Sequence, residues 1–175
     1  MTFMRSYQHM VFSTAARLTG NDAHAEDIAQ DVFMRAYENF AHLRGSPAAG
    51  GWLKTVTTNL TLNHLTRYRR RWRLFSELRN SADDDATDAP EIEWELPDTL
   101  IADLDAEQCG RLIDGALRQL PQHQRIALVL YHFDELSYQD IADRLQVSLA
   151  KVKTDIRRAR TALLPILAAQ GVVRQ

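Results

Sequence analysis

The sequence predicts an all-α protein made of two small helical domains joined by an acidic linker. Apolar residues recur three and four positions apart along most of the 175-residue chain, which is the period of an amphipathic helix. Charge is unevenly distributed: residues 83–107 contain eleven acidic residues and no basic one, whereas basic residues predominate over residues 44–82 and 108–175. We therefore place the first domain at residues 1–79, the linker at residues 80–107 and the second domain at residues 108–175.

The composition excludes several classes of protein. A single cysteine, Cys109, rules out an internal disulfide bond. No apolar run reaches the length needed to cross a membrane, and the first residues are too polar for a secretory signal peptide. We therefore expect a cytoplasmic protein without membrane insertion.

The first domain begins with two predicted helices. Residues 6–19 carry an apolar stripe that ends at Gly20. Asn21 or Asp22 then caps a longer helix that reaches about Phe40. Its predicted buried face comprises Ala25, Ile28, Ala29, Val32, Phe33, Ala36 and Tyr37.

The second helix also carries an acidic face. Asp27 and Asp31 lie four residues apart, on one side of the helix and beside Gln30. Like charges at this spacing repel each other unless a cationic group approaches them. Three interpretations stay open at this point: a solvated surface, a docking surface for a basic partner, and a metal site formed with His24.

A long third helix is predicted from Trp52 to Phe75, after a loop in which Ser46 and Pro47 favour helix initiation. Its expected core contacts are Leu53, Val56, Leu60 and Leu65. Its expected polar side carries Thr57, Thr58, Asn59, Asn63 and His64.

The end of this helix combines basic and aromatic residues. Five arginines fall within seven positions, interleaved with Tyr68 and Trp72. Basic side chains neutralise phosphates, and aromatic rings offer stacking surfaces for unpaired bases. The pattern favours nucleic-acid binding; the alternative is a solvated helix end, with Trp52 and Trp72 in the core.

The second domain is predicted to contain a helix-turn-helix motif over residues 137–160. One helix precedes Pro121 and another follows it. Ser137 and Ser148 can each cap a helix of the motif, and Gln146 takes the left-handed position of the turn. The second helix should run to about Ala169 unless Pro165 kinks or ends it earlier.

The second helix of the motif is basic. Val152, Ile156 and Ala159 recur at helical spacing as its buried stripe, and its cations are Lys151, Lys153, Arg157, Arg158 and Arg160. In a helix-turn-helix, this helix enters the major groove of DNA. The alternative is a solvated basic helix packed on a helical hairpin.

The order of these motifs resembles the bacterial sigma-70 family, and within it the compact two-domain extracytoplasmic-function sigma factors. The resemblance rests on AEDIAQDVFMRAY, on RG…WL…N…N…R…RRR, and on LPQHQRIALVLYHFDELSYQDIADRL followed by VKTDIRRAR. It covers nearly the whole chain. In that family the acidic helix docks on the clamp of core RNA polymerase, which implies polymerase-binding roles for Asp27, Gln30, Asp31 and Phe33.

The resemblance also implies two DNA-binding sites. The residues matching the reader of the minus-ten promoter element, which is taken up as single strands, are Arg44, Asn59, Asn63, Arg67, Arg70 and Arg71. Those matching the reader of the minus-thirty-five duplex are Ser148, Lys151, Lys153, Thr154, Arg157 and Arg158. The chain departs from the family at Ala48, Ala49 and Gly50, where many relatives carry an aromatic residue, and at Ala150, where relatives often have glycine.

The expected function is therefore that of a dissociable transcription initiation subunit that is not an enzyme. Its implied partners are core RNA polymerase, promoter DNA and an anti-sigma factor, and we expect no cofactor and no metal. Three alternatives remain at this stage: a stand-alone helix-turn-helix regulator, an all-helical metal-dependent enzyme using His24, Asp27 and Asp31, and a scaffold protein in which the basic clusters have no binding role.

Overall fold

The computed structural model describes residues 2–76 and 106–170, which form eight helices and no strand. The helices belong to two compact units, one within residues 1–82 and the other within residues 83–175. The predicted all-α fold with two helical domains is confirmed. Nearly all of the predicted linker lies outside the described residues. None of the described helices is long and apolar enough to span a membrane.

The first unit contains α1 (Thr2–Thr19), α2 (Asp22–Glu38), α3 (Phe40–Leu43) and α4 (Ala49–Ser76). Helix α1 starts four residues earlier than predicted, and α2 ends at Glu38, before the short α3. Gly20 adopts a left-handed conformation with φ of +66° between α1 and α2. Asn21 caps α2 by accepting a hydrogen bond from the His24 amide at 3.1 Å.

The core of the first unit lies where α1, α2 and α4 pack together. Its buried side chains include Val11, Ile28, Val32 and Leu53. Trp52, Val56 and Leu60 pack against this core while remaining partly exposed.

The prediction that Thr57 and Thr58 lie on the polar side of α4 is wrong. Both are buried, as is Thr61 one turn later. The hydroxyl of Thr57 donates to the Leu53 carbonyl oxygen at 2.7 Å, and that of Thr61 donates to the Thr57 carbonyl oxygen, also at 2.7 Å. Because the hydroxyls of Thr57 and Thr61 are satisfied within α4, these two threonines are buried at little polar cost.

The second unit contains α5 (Ala106–Arg118), α6 (Gln122–His132), α7 (Tyr138–Leu145) and α8 (Leu149–Ala169). Helix α8 packs against the other three. Its buried residues Val152, Ile156 and Ala159 form the predicted stripe. Pro165 lies inside α8 and does not end it.

Helices α7 and α8 form the predicted helix-turn-helix. Ser137 accepts a hydrogen bond from the Asp140 amide at 3.1 Å, and Ser148 accepts one from the Lys151 amide at 3.2 Å. Between the helices, Gln146 has φ of 56° and ψ of 47°, the left-handed conformation expected for the turn. Two caps and one strained residue therefore fix the angle at which α8 leaves the turn.

Candidate protein-binding and nucleic-acid-binding surfaces

The four predicted polymerase-binding residues of α2 fall on two surfaces. Gln30 and Phe33 line a groove between α1 and α2, whereas Asp27 and Asp31 are exposed and lie outside it. The helix therefore presents an apolar groove beside an acidic face, a combination suited to a partner with both apolar and basic side chains.

Sequence reasoning missed part of this groove. Tyr37 was expected to be buried, but 82% of its surface is exposed, and Met34 is 66% exposed. Both line the groove together with Met4 and Phe12 of α1. The only sign of the groove in the sequence is that the apolar stripe of α2 is wider than the core requires. From the sequence alone, such a stripe cannot be distinguished from a wider buried face.

The structure gives no support to a metal site at α2. Among the described residues, no group of three or more histidine, cysteine, aspartate or glutamate side chains could hold a metal ion. The ring of His24 instead packs against the ring of His64 on α4, with 4.9 Å between centroids.

The two asparagines of the predicted minus-ten site lie on the exposed side of α4. Asn59 and Asn63 are one turn apart and face away from the buried Thr57 and Thr61. Asparagine offers both a donor and an acceptor to the edge of a base. Residues Arg67, Arg70 and Arg71 lie on α4, but their side chains are outside the described part of the chain.

The loop before α4 is exposed at several positions, whereas the first turn of α4 is packed. Arg44 is exposed and its amide donates to the Phe40 carbonyl oxygen at 2.9 Å, which closes α3. Ala48 is exposed, whereas Ala49 is only 1% exposed. A side chain at Gly50 would place its Cβ 3.3 Å from Cε1 of Tyr7 on α1. The small residues Ala49 and Gly50 in the first turn of α4 therefore allow the helix to start close against α1.

The predicted minus-thirty-five residues are distributed along the outer surface of α8. Lys153 and Arg158 are exposed, and Thr154 and Arg157 are half-buried. Arg157 and Arg158 also line a shallow cleft next to Pro121 and Gln124, at the start of α6. The helix thus presents cations and hydrogen-bonding groups along about one and a half turns.

In the described part of the second unit, the pKa values of two side chains are lowered. Burial, and then the charge of Arg160, lower the pKa of His132 below its ordinary value. Arg160 Nη2 lies 3.3 Å from His132 Nε2, and the Arg160 guanidinium sits 5.3 Å from the centre of the Tyr131 ring. Burial, and then Arg118, lower the pKa of Arg125, whose guanidinium donates to the Leu120 carbonyl oxygen at 3.3 Å.

Comparisons with known proteins give matches in both helical units. Residues 3–71 match the family described as sigma-70 region 2, and residues 110–163 match sigma-70 region 4. The chain is 32% identical over 164 residues to the RNA polymerase sigma-H factor of Pseudomonas aeruginosa, covering 90% of this chain and 80% of that protein. It is 29% identical over 157 residues to the ECF RNA polymerase sigma factor SigW of Bacillus subtilis, covering 90% and 82% of the two chains.

A solved structure shows the same fold. The sigma factor RpoE of Bartonella quintana, crystallised in complex with the anti-sigma factor NepR, matches with a TM-score of 0.50, 22% identity and 95% coverage of both chains. The two family regions, the identity to sigma factors over most of their length and the two helical units agree with one another. The chain belongs to the sigma-70 family of RNA polymerase sigma factors, in its extracytoplasmic-function group.

Proposed function

We propose that this protein is a dissociable initiation subunit that binds core RNA polymerase and directs it to promoters. The observation that carries the proposal is the division of surfaces within one chain. Helix α2 presents an acidic face and helps form an apolar groove. Helix α4 presents a polar surface, and α8 presents a basic one. A protein that must hold a polymerase and a promoter at once needs both kinds of surface.

The two DNA-binding surfaces have different chemistry. Helix α8 follows a capped turn and carries Lys153, Arg157 and Arg158 on its outer side, which suits the major groove of a duplex. Helix α4 presents Asn59 and Asn63, which suit the edges of unpaired bases. In our proposal α8 holds the minus-thirty-five element as duplex while α4 captures bases of the minus-ten element.

This mechanism requires no chemical step from the protein itself. Bases drawn out of the duplex are held by stacking and hydrogen bonds, and that capture makes strand opening favourable. The polymerase carries out synthesis, so we propose that the protein is not an enzyme and that it works in the cytoplasm. An anti-sigma factor is a further proposed partner, supported by the complex of the Bartonella quintana sigma factor.

The proposal is tested by binding to purified bacterial core polymerase and by run-off transcription from a pool of promoters. The wild type is compared with an Asp27→Arg/Asp31→Arg variant. The control is Asp143→Arg, a charge reversal at an exposed position of α7. We expect the α2 variant to lose polymerase binding and new transcripts together, while the control retains polymerase binding.

Two results would contradict the proposal. If the wild type fails to bind core polymerase yet binds specific duplex DNA, the protein is a stand-alone regulator. If the α2 variant binds polymerase as well as the control does, polymerase docking uses a surface other than the acidic face.

A further inference from the structure

A buried carboxylate lies beneath the DNA-binding surface of α8. Asp155 is 5% exposed, although it lies between residues of the predicted duplex-binding set. Lys151 Nζ lies 3.4 Å from its Oδ1 atom, and His123 Nε2 on α6 lies 3.7 Å from the same atom. A buried carboxylate is costly unless it is paired, so Asp155 depends on these two side chains.

The pairing directs the Lys151 side chain toward the C-terminus of α8, which is unusual. Side chains of an α-helix lean toward its N-terminus, and the N-terminal turns of a recognition helix are the ones that reach into the groove. Lys151 lies in the first turn of α8, yet its ammonium group contacts a residue one turn further toward the C-terminus. The charge of Lys151 is therefore held back from the end of the helix that approaches DNA.

The energetics favour retention of this pair. Moving the ammonium group to a phosphate would remove the nearest cation from the carboxylate of Asp155, whose side chain is buried. His123 is slightly farther away, and it carries a positive charge only when protonated. An exposed contact to phosphate is screened by water and salt, whereas the partly buried pair is screened less.

We propose that Asp155 is a positioning residue that binds Lys151 internally, so that Lys151 does not contact DNA phosphate. This inference rests on the proposed binding of promoter duplex by α8, and it gives Lys151 a different role from the one its family position implies. Asp155 then lowers the binding of α8 to DNA of any sequence, because phosphate contacts do not depend on sequence.

The test measures holoenzyme binding to a minus-thirty-five duplex and to a scrambled duplex between about 50 and about 200 mM salt. Each phosphate contact contributes roughly 0.9 to the slope of log affinity against log salt, or about a threefold change over this range. The variants are Lys151→Gln, Asp155→Asn and the double variant. Arg158→Gln reports the loss of an exposed cation, and Asp143→Asn removes a carboxylate charge from α7, at a position whose Oδ1 accepts a hydrogen bond from Gln139.

We expect Lys151→Gln to leave the slope unchanged, whereas Arg158→Gln makes it shallower by about 0.9. Asp155→Asn should make the slope steeper by up to the same amount on the scrambled duplex, and the double variant should reverse this change. Asp143→Asn should have no such effect on the slope. Asp155→Asn can unfold the domain, so the thermal unfolding of this variant is measured as well. The comparison of the Lys151→Gln slope with the Arg158→Gln slope tests the inference even if Asp155→Asn does not fold.

The inference is overturned if Lys151→Gln reduces the slope as much as Arg158→Gln does. It is also overturned if a folded Asp155→Asn protein behaves like Asp143→Asn. If the wild-type holoenzyme shows no preference for the minus-thirty-five duplex and Arg158→Gln changes nothing, the duplex-binding role of α8 fails, and this inference fails with it. If Arg158→Gln has its expected effect and only the Lys151 or Asp155 variants depart from expectation, the inference fails while the duplex-binding role of α8 stands.

Discussion

The two helices proposed to bind DNA, α4 and α8, begin in different ways. Helix α8 follows a left-handed Gln146 and is capped by Ser148, whose hydroxyl accepts a hydrogen bond from the Lys151 amide at 3.2 Å. Helix α4 follows Ala48, whose side chain has no acceptor; the Ala48 carbonyl oxygen accepts from the Trp52 amide at 2.9 Å. The start of α4 is held by the buried Ala49 and by the approach of Gly50 to α1.

The two helices differ in the contacts that hold their first turns. Local hydrogen bonds define the first turn of α8, and residues next to it in the chain provide them. Contacts with a distant helix define the first turn of α4. We expect α8 to keep its register under substitutions elsewhere in its unit, and α4 to be sensitive to changes in α1.

The largest expected effect comes from the cores beneath the two helices. Leu53 on α4 is fully buried and Ile156 on α8 is 1% exposed. Truncating either one to alanine should cost about 2–5 kcal/mol of the free energy of unfolding, because each leaves a cavity in packed surroundings. Denaturant-induced unfolding measures the loss. A cost below about 1 kcal/mol at either position would mean that the helix does not depend on this packing.

The comparison also explains what the sequence could and could not predict. The helix-turn-helix was predictable down to Ser137, Gln146 and Ser148, because caps and turn residues act over three or four positions. Thr57 was predicted on the polar side of its helix and is buried, and Tyr37 was predicted to be buried and is exposed. Both predictions were wrong because burial depends on which neighbouring helix covers that face. The burial of Asp155 was missed because it depends on the packing of α6, which supplies His123, against α8.

The next effect tests the caps themselves. Ser148→Ala should cost about 1 kcal/mol, since the Lys151 amide loses its hydrogen-bond acceptor. Ser46→Ala in the loop before α4 should cost less, because the Ser46 hydroxyl accepts only from the exposed Ala48 amide at 3.3 Å. Thermal unfolding of the two variants gives the order of the costs. Equal costs would contradict the view that local capping matters more for α8.

A smaller effect tests the tertiary contact at the start of α4. Gly51 has open space around its Cβ position, whereas a Cβ at Gly50 would lie 3.3 Å from Cε1 of Tyr7. Gly51→Ala should stabilise the protein by up to about 1 kcal/mol through helix propensity. Gly50→Ala should gain less or lose stability, because Tyr7 has to move. If both substitutions stabilise equally in thermal unfolding, the close packing of α4 on α1 does not constrain its first turn.

The smallest effect concerns the protonation of His132, which lies against the Arg160 side chain of α8. An arginine guanidinium can only donate hydrogen bonds, so His132 Nε2 has to be unprotonated to accept from Arg160 at 3.3 Å. Burial and then the charge of Arg160 lower the pKa of His132 in the folded protein, whereas the pKa of an unfolded histidine is about 6.5. The unfolded chain therefore takes up this proton first as the pH falls, and the free energy of unfolding decreases below about pH 6.5.

His132→Gln tests this contribution, because glutamine retains an acceptor for Arg160 but does not titrate. The free energy of unfolding is measured at about pH 7.5 and about pH 5.5 for the wild type and the variant. The other histidines are present in both proteins, so their contributions cancel in the comparison. The loss of stability between the two pH values should be smaller in the variant; an equal loss would show that folding does not lower the pKa of His132.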